Sequence, residues 1–450
     1  MREKRKYRQS AALSAPNFGG NTDFIKKVRP KQSMLRAFFI LKGESGMLTI
    51  KKSSKLDGVA YEVRGRVAAQ ASALEAQGAK ILKLNIGNPA PFGFETPEPL
   101  LAKMQERLEH SEGYSESRGV LEAREAIAAY HHSKGIESVR PEYIYTGNGV
   151  SELINMSLQA LLNDGDEVLI PSPDYPLWTA SVTLAGGKAV HYICDEQSDW
   201  MPDLSDMRRK ISRNTKAIVV INPNNPTGAN YSPEILEKIG DLAREFNLVI
   251  LADEIYDRLL MDGLKHTSIA SLCPDLLCLT YNGLSKSHLA TGFRCGWIAL
   301  SGPLDLAKEY IEGLDMLASM RLCANVPAQS IIPIALENLD ATRSLYEPGG
   351  RIYEQREAIC NAVNSIEGLS VVRPRAAFYC FPKIDMRRYH IVDDERFAID
   401  FLRAEHVLLI QGTGFNWPIP DHFRIVFLPE AEKLREGMAK LAHFLETYQQ

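Results

Sequence analysis

Four short apolar runs, each stopping at a cluster of polar residues, limit what this chain can fold into. EVLI (167–170) runs into PSPDYP, KAIVVI (216–221) into NPNNPTG, LVILA (248–252) into Asp253, Glu254 and Tyr256, and LLCLTYN (276–282) into a loop bearing Lys286. Such runs are too short and too evenly apolar for amphipathic helices, and they read as strands buried on both faces. KAVHYI (188–193) adds another, and helical periodicity lies between the runs, most clearly from Pro233 to Phe246. Strands alternating with helices predict an α/β fold with a mainly parallel, doubly wound sheet. Open sheets of this kind bind ligands beyond the carboxyl ends of their strands, so the polar clusters are where function is sought.

Upstream, apolar residues recur at helical spacing from Val59 to Gln77, and Gly78 stands where a C-cap would. ILKLNIG (81–87) reads as a strand entering a loop stiffened by Pro89, Pro91, Pro97 and Pro99, with Gly87 where backbone turns or approaches something closely. Two helical patterns flank EGYSESRG (112–119), a loop that presents Tyr114. EYIYTGNGVSELINMSLQALL (142–162) reads as strand, glycine turn and helix, the arrangement that aims free N–H groups at a phosphate. After a helix near Ala307–Leu317, SMRLCANVPAQ (319–329) leads into a long helical stretch ending near Ile366. From Gly368 onward, LSVVRP, AFYCFPKI, VLLIQG and HFRIVFLP separated by helices predict a smaller α+β domain whose last strand carries Arg424. The expected organisation is an extension over 1–46, an arm and part of the small domain over 47–98, a large domain over 99–330 and a small domain over 331–450.

The extension differs from the rest: MREKRKYRQS is basic, and the apolar cluster AFFILKG (37–43) is too short to cross a bilayer. It reads as disordered, with three explanations: an upstream start whose natural counterpart is Met47, a transit peptide, or a functional arm. The first is favoured because MLTIKKSSKL leads straight into helical periodicity. No run of about 18 apolar residues suggests a membrane span. A net charge of -4 gives no reason to expect nucleic acid, and seven cysteines without a CxxC pair point to neither zinc nor a disulfide framework. A cytoplasmic setting is expected.

Within NGLSKSHLATGFRCG (282–296), Lys286 sits among small residues with Arg294 close behind. A lysine that becomes a neutral amine can form a Schiff base with a carbonyl, and pyridoxal phosphate (PLP) is the commonest carbonyl held this way. Ser285 and Arg294 are residue types that bind a phosphate, and Gly292 and Gly296 leave room for a ligand. Taken singly, each candidate has a plainer reading: a solvated loop for Ser285–Lys286, a helix cap for Asp253, core aromatics for Tyr175 and Tyr256, an ion pair for Arg424.

NPNNPTG, ADEIY, LSKS and GFRCG occur together in this order, and with them the chain resembles the class I/II aminotransferases of PLP fold type I from about residue 55 to the C-terminus. YEVRG (61–65), LNIGNPAPFGF (84–94), DYPLWTA (174–180), YIEGLDMLASMRLCANVPAQ (310–329) and FNWP (415–418) resemble the bacterial glutamate–pyruvate (alanine) aminotransferases. The resemblance implies a large domain with a mainly parallel sheet sandwiched by helices, a smaller α+β domain, and a homodimer with shared active sites. It implies Lys286 as the cofactor-linked lysine and proton shuttle, and Asp253 as partner of the pyridinium nitrogen. Asn225 and Tyr256 would hydrogen-bond the ring oxygen and Tyr175 would stack on the ring. Gly149, Val150, Ser151, Ser285 and Arg294 would hold the phosphate, with Tyr114 reaching the partner subunit's phosphate. Arg424 would clamp the substrate α-carboxylate, with Gly87 and Asn225 lining the pocket. Arg64, in the arm, is the candidate for the distal carboxylate of glutamate, with Arg321 as a fallback. Ser287 and His288 depart from the threonine or serine and tyrosine usual after the lysine, which puts the supporting contacts there in question. Alanine–2-oxoglutarate transamination leads. Other donors (branched-chain or aromatic), a β-lyase, and a DNA-binding regulator with an aminotransferase-like domain are the alternatives; the last needs a helix-turn-helix module that residues 1–46 do not supply.

Overall fold

The computed structural model describes residues 50–57, 59 and 65–450. The extension and Arg64 lie outside the described residues.

The dominant element is an eight-stranded sheet made of β1 (Ile144–Asn148), β2 (Glu167–Ser172), β3 (Lys188–Asp195), β4 (Met201–Pro202), β5 (Thr215–Ile221), β6 (Val249–Asp253), β7 (Cys278–Gly283) and β8 (Cys295–Ser301). Its order is β1-β8-β7-β6-β5-β2-β3-β4. The strands from β7 through β3 pair in parallel, whereas β8 runs antiparallel between β1 and β7, and β4 closes the far edge antiparallel to β3. The apolar runs are continuous because both faces are covered: Ile218 and Val220 enter one core with Leu169 and Ile250, while Ala217, Val219 and Ile221 enter another with Val168 and Leu251. β8 was not expected. Its CGWIALS run was legible as a strand, and its direction is set by a short connection from β7 that cannot make a crossover.

Pro233–Phe246 forms the expected helix, started by Ser232, whose Oγ accepts from Ile235 N at 3.4 Å, and ended by Asn247 in the left-handed conformation. The long helical stretch expected between Gln329 and Ile366 is instead broken into Ile332–Glu337, the short turn Arg343–Leu345 and Arg351–Asn364. Pro333 opens the first, and Pro348, Gly349 and Gly350 precede the last, so the prolines and glycines override the apolar periodicity. Ile331, Ile332 and Ala335 pack in the core of the large sheet.

A further core joins early and late segments of the described residues, with Val67, Leu84 and Phe94 against Phe397, Leu408 and Ile425. In it Phe423–Val426 pairs antiparallel with Tyr379–Cys380 and Ile410–Gln411. Of ILKLNIG only Leu82–Lys83 is strand, parallel to Val407–Leu408; Leu84 N–H donates to Leu408 O at 2.8 Å and Leu84 O accepts from Val426 N at 2.9 Å. Gly87 is thereby carried from the small sheet to the edge of the large one. No helix among the described residues is long and apolar enough to cross a membrane.

Candidate active site

Because β8 is antiparallel, its amino end meets the carboxyl ends of β1 and β7: Cys295 faces Asn148, and Gly296 faces both Gly147 and Gly283. Arg294, the helix that starts after Gly149, and the one-turn helix Leu284–Ser287 with Lys286 therefore arrive together, beside Asp253 at the end of β6 and Asn225 after β5. Arg424 comes from the small sheet. A cavity of about 500 Å³ brings together Gly87, Val150, Ser151, Tyr175, Asn225, Asp253, Tyr256, Ser285, Lys286, Arg294 and Arg424.

Lys286 Nζ donates to Gly87 O at 2.7 Å. Burial, with Arg424 and Arg294 adding positive potential, brings its pKa down from 10.5 to about 7. Asp253 is buried and held in direction by Trp178 Nε1, 3.0 Å from its Oδ2. Burial raises its pKa to about 6, the Trp178 and Ile255 N–H groups opposing the rise. Tyr256 Oη and Tyr379 Oη share a hydrogen bond of 2.8 Å, and burial pushes the Tyr256 phenol well above its ordinary value. Arg424 Nη1 donates to Asn225 Oδ1 at 3.0 Å, Nη2 donates to Asn85 O, and the rings of Phe415 and Tyr379 lie 4.5 and 4.7 Å from Cζ. A Cβ at Gly87 would fall 2.0 Å from Tyr379 Oη, so the close approach expected there is a real one.

At the other end, Gly149 has φ 84° and caps the helix Val150–Leu161. A Cβ on it would fall 2.2 Å from Arg294 Nη2, and one on Gly296 would fall 2.7 Å from Val150 N. These glycines let a guanidinium lie against a helix start, where N–H groups and the helix dipole favour an anion. Gly292 lines the cavity too and has open space around it. Glu152, the acid of that first turn, accepts from Asn148 N at 2.7 Å and from Arg321 Nη1 at 2.6 Å. Arg321 also donates to the carbonyls of Ser117 and Thr146, so it is committed to holding this turn. Among the described lining residues Asp253 is the one acid, against Lys286, Arg294 and Arg424.

Tyr114 is not part of this cavity and is 82% exposed. Three supporting residues escaped the sequence reading. Tyr379 sits in an apolar run that looked like core, Trp178 lies within DYPLWTA but shows its role only through its bond to Asp253, and Asn85 contributes a carbonyl. The departure after the lysine is accommodated: Ser287 Oγ bonds His288 Nδ1 at 2.9 Å, and His288 Nε2 lies 2.9 Å from Ala335 O.

Residues 79–441 match the family model of aminotransferase class I and II. The chain is 56% identical over 404 residues to the glutamate-pyruvate aminotransferase AlaA of Escherichia coli K12, covering 90% of this chain and 100% of that one. It is 53% identical over 400 residues to an alanine aminotransferase of Mycobacterium tuberculosis, covering 89% and 93%. Among solved structures, an aminotransferase from Escherichia coli superposes with a TM-score of 0.88 at 55% identity, covering 89% of this chain and 100% of the other.

Proposed function

The chain belongs to the class I and II aminotransferases, and from that premise we infer that it exchanges an amino group between L-alanine and 2-oxoglutarate, giving pyruvate and L-glutamate. The names of its relatives at 56% and 53% identity support this pair of substrates. The observation that carries the reading is the charge of the cavity: a lysine brought near neutrality, two arginines and one buried carboxylate suit an anionic cofactor at one end and a carboxylate substrate at the other.

Pyridoxal 5′-phosphate fits this donor set. Val150, Ser151, Ser285 and Arg294, around the turn at Gly149, would hold its phosphate; Asp253 would pair with its ring nitrogen, Asn225 and Tyr256 would face its ring oxygen, Tyr175 its face, and Lys286 its aldehyde. When bound, the cofactor supplies a carbonyl that receives the amino group and a conjugated ring that takes up the electron pair released at the substrate carbon. Lys286 Nζ, its amine brought toward neutrality by burial, would take a proton from that carbon and return one. Asp253, aimed by Trp178, would offer its carboxylate to a protonated ring nitrogen. Arg424 offers a planar fork to the α-carboxylate, and Asn225 and the Asn85 carbonyl keep that fork in place. The Tyr256–Tyr379 bond joins the loop after β6 to the small sheet and so steadies the wall between them.

The loop with Tyr114 is tied to helix Lys308–Met320, since Arg118 Nε donates to Asp315 Oδ1 at 2.6 Å, and Met316, Met320 and Leu322 are exposed close in sequence to that helix's end. A surface of this composition supports a homodimer that brings Tyr114 to its partner's phosphate. The arm over 47–98, the large domain over 99–330 and the small domain over 331–450 remain the proposed organisation, and cytoplasmic residence the proposed location. The test is a panel of amino donors and keto acids with purified, PLP-loaded protein. Alanine with 2-oxoglutarate should give the highest kcat/KM, and a branched-chain or aromatic donor ranking above alanine would replace the reading.

A further inference from the structure

DYPLWTA and FNWP, far apart in sequence, are bonded to each other. Asp174 is buried, and its two carboxylate oxygens accept from Asn416 Nδ2 at 2.7 Å and from Thr179 Oγ1 at 2.8 Å. Asn416 Nδ2 also reaches Thr179 Oγ1 at 3.2 Å. The backbones are joined as well: Asp174 N donates to Phe415 O at 2.9 Å, and Ser172 Oγ donates to Asn416 O at 2.8 Å. Each side of this latch leads into the cavity. Tyr175, next to Asp174, lines it, and Phe415, next to Asn416, places its ring 4.5 Å from Arg424 Cζ.

A buried carboxylate is costly unless its bonds are well made, and an apolar residue would fill the same space at less cost. What a carboxylate adds is direction, because Asp174 Oδ1 accepts from the Asn416 amide while Oδ2 holds Thr179 Oγ1, the amide's second acceptor, so the amide is kept in one orientation. Burial raises the Asp174 pKa to about 7, which marks how far from water the pair lies. Asn416 has φ 57°, in the left-handed region, so the turn that carries Phe415 is shaped locally and then locked by the amide.

We propose that Asp174 and Asn416 are positioning residues for the carboxylate end of the site: the bonded pair fixes the Phe415 turn against the loop of Tyr175 and thereby sets where the Arg424 guanidinium stands when a substrate carboxylate arrives. This rests on Arg424 being the α-carboxylate clamp. Neither residue touches the reacting atoms, so the effect falls on binding and not on the chemical step.

Asn416→Gly keeps the left-handed turn and removes the amide, while Asp174→Asn keeps the volume and one acceptor. With the PLP-loaded enzyme, Asn416→Gly should raise KM for L-alanine and for 2-oxoglutarate about tenfold, as expected for loss of charged hydrogen bonds, and leave kcat within about twofold. Calorimetric binding of propionate, a carboxylate without an amino group, should weaken by a similar factor while the cofactor's absorbance is unchanged. Asp174→Asn should fall between the wild type and the glycine variant in both measurements, and it carries the test alone if the glycine variant does not fold. Unchanged propionate affinity in the folded variants, or a loss confined to kcat, overturns the proposal. If alanine proves not to be the preferred donor, the propionate measurement still judges the latch, since every amino acid shares the α-carboxylate.

Discussion

Lys286 is ordinary in type and unusual in setting, because burial and two arginines hold its pKa at about 7 instead of 10.5. The sign follows from linkage. Between those two values the unfolded chain holds a proton that the folded one has released, so the cofactor-free protein gains stability as pH rises from about 7 toward 10.5. Lys286→Met lacks this dependence, and thermal unfolding of the two cofactor-free proteins across that interval should converge at high pH and favour the variant at low pH. Parallel curves would show that the amine is not depressed. In the loaded enzyme, Lys286→Ala should reduce alanine turnover by about a thousandfold or more, since nucleophile and proton carrier vanish together, and should keep part of its PLP. Near-normal turnover would refute the role given to Lys286. Glutamate raises a separate question, because its second carboxylate needs a donor. The described cations of the cavity are proposed for other tasks, and Arg321 is engaged with Glu152. Arg64→Ala should therefore raise KM for glutamate and 2-oxoglutarate about tenfold and change alanine kinetics little. An equal effect on both half-reactions would make Arg64 structural.

Helix Leu121–Ser133 shows how an element can carry a charge problem unseen in sequence. His131 lies fully buried on it, edge-on to Tyr130, with no hydrogen-bond partner for either ring nitrogen among the described residues, and burial with nearby Lys134 brings its pKa down from 6.5 to about 3. Above pH 6.5 the ring is neutral in both states and pH has no effect through it. Below that the unfolded chain binds a proton that the fold refuses, so stability falls by about 1.4 kcal/mol per pH unit until the folded pKa is reached. His131→Leu should remove this dependence, and its advantage in Tm over the wild type should be larger at pH 5 than at pH 7.5; an equal difference at both would mean that the ring is solvated. Other elements were legible in advance. The buried runs ending at NPNNPTG and at Asp253 announced both the sheet and its functional edge, because period and punctuation are local properties. β8 was missed, its antiparallel direction depending on the connection in space, and the broken segment after Gln329 was read as one helical stretch because its apolar pattern hid the proline. Tyr379, Trp178 and the Asp174–Asn416 pair could not be read at all, because each acts through a residue distant in sequence.

At the scale of the whole molecule the site is proposed to be completed by a second copy, and Tyr114 is the residue on which that depends. Tyr114 is 82% exposed and outside the cavity of its own chain, with Met316, Met320 and Leu322 exposed as well, so it is available to another surface. In a twofold dimer the same patch meets itself, so a residue that leaves its own site enters its partner's. The arrangement can be tested by complementation. Lys286→Ala lacks the lysine in its own site, whereas Tyr114→Ala would lack the tyrosine in the site of the partner, and each homodimer alone should be strongly impaired. When equal amounts are unfolded and refolded together, half of the dimers should be mixed, and in each of those one site receives both an intact Lys286 and an intact Tyr114. The mixture should recover about a quarter of the wild-type activity, the remainder of the sites being defective. Recovery near that level requires that lysine and tyrosine of one site come from different chains. If activity stays at the mean of the two separate variants although mixed dimers form, Tyr114 serves its own subunit or none, and the shared site is refuted; a Tyr114→Ala homodimer with full activity would refute it sooner.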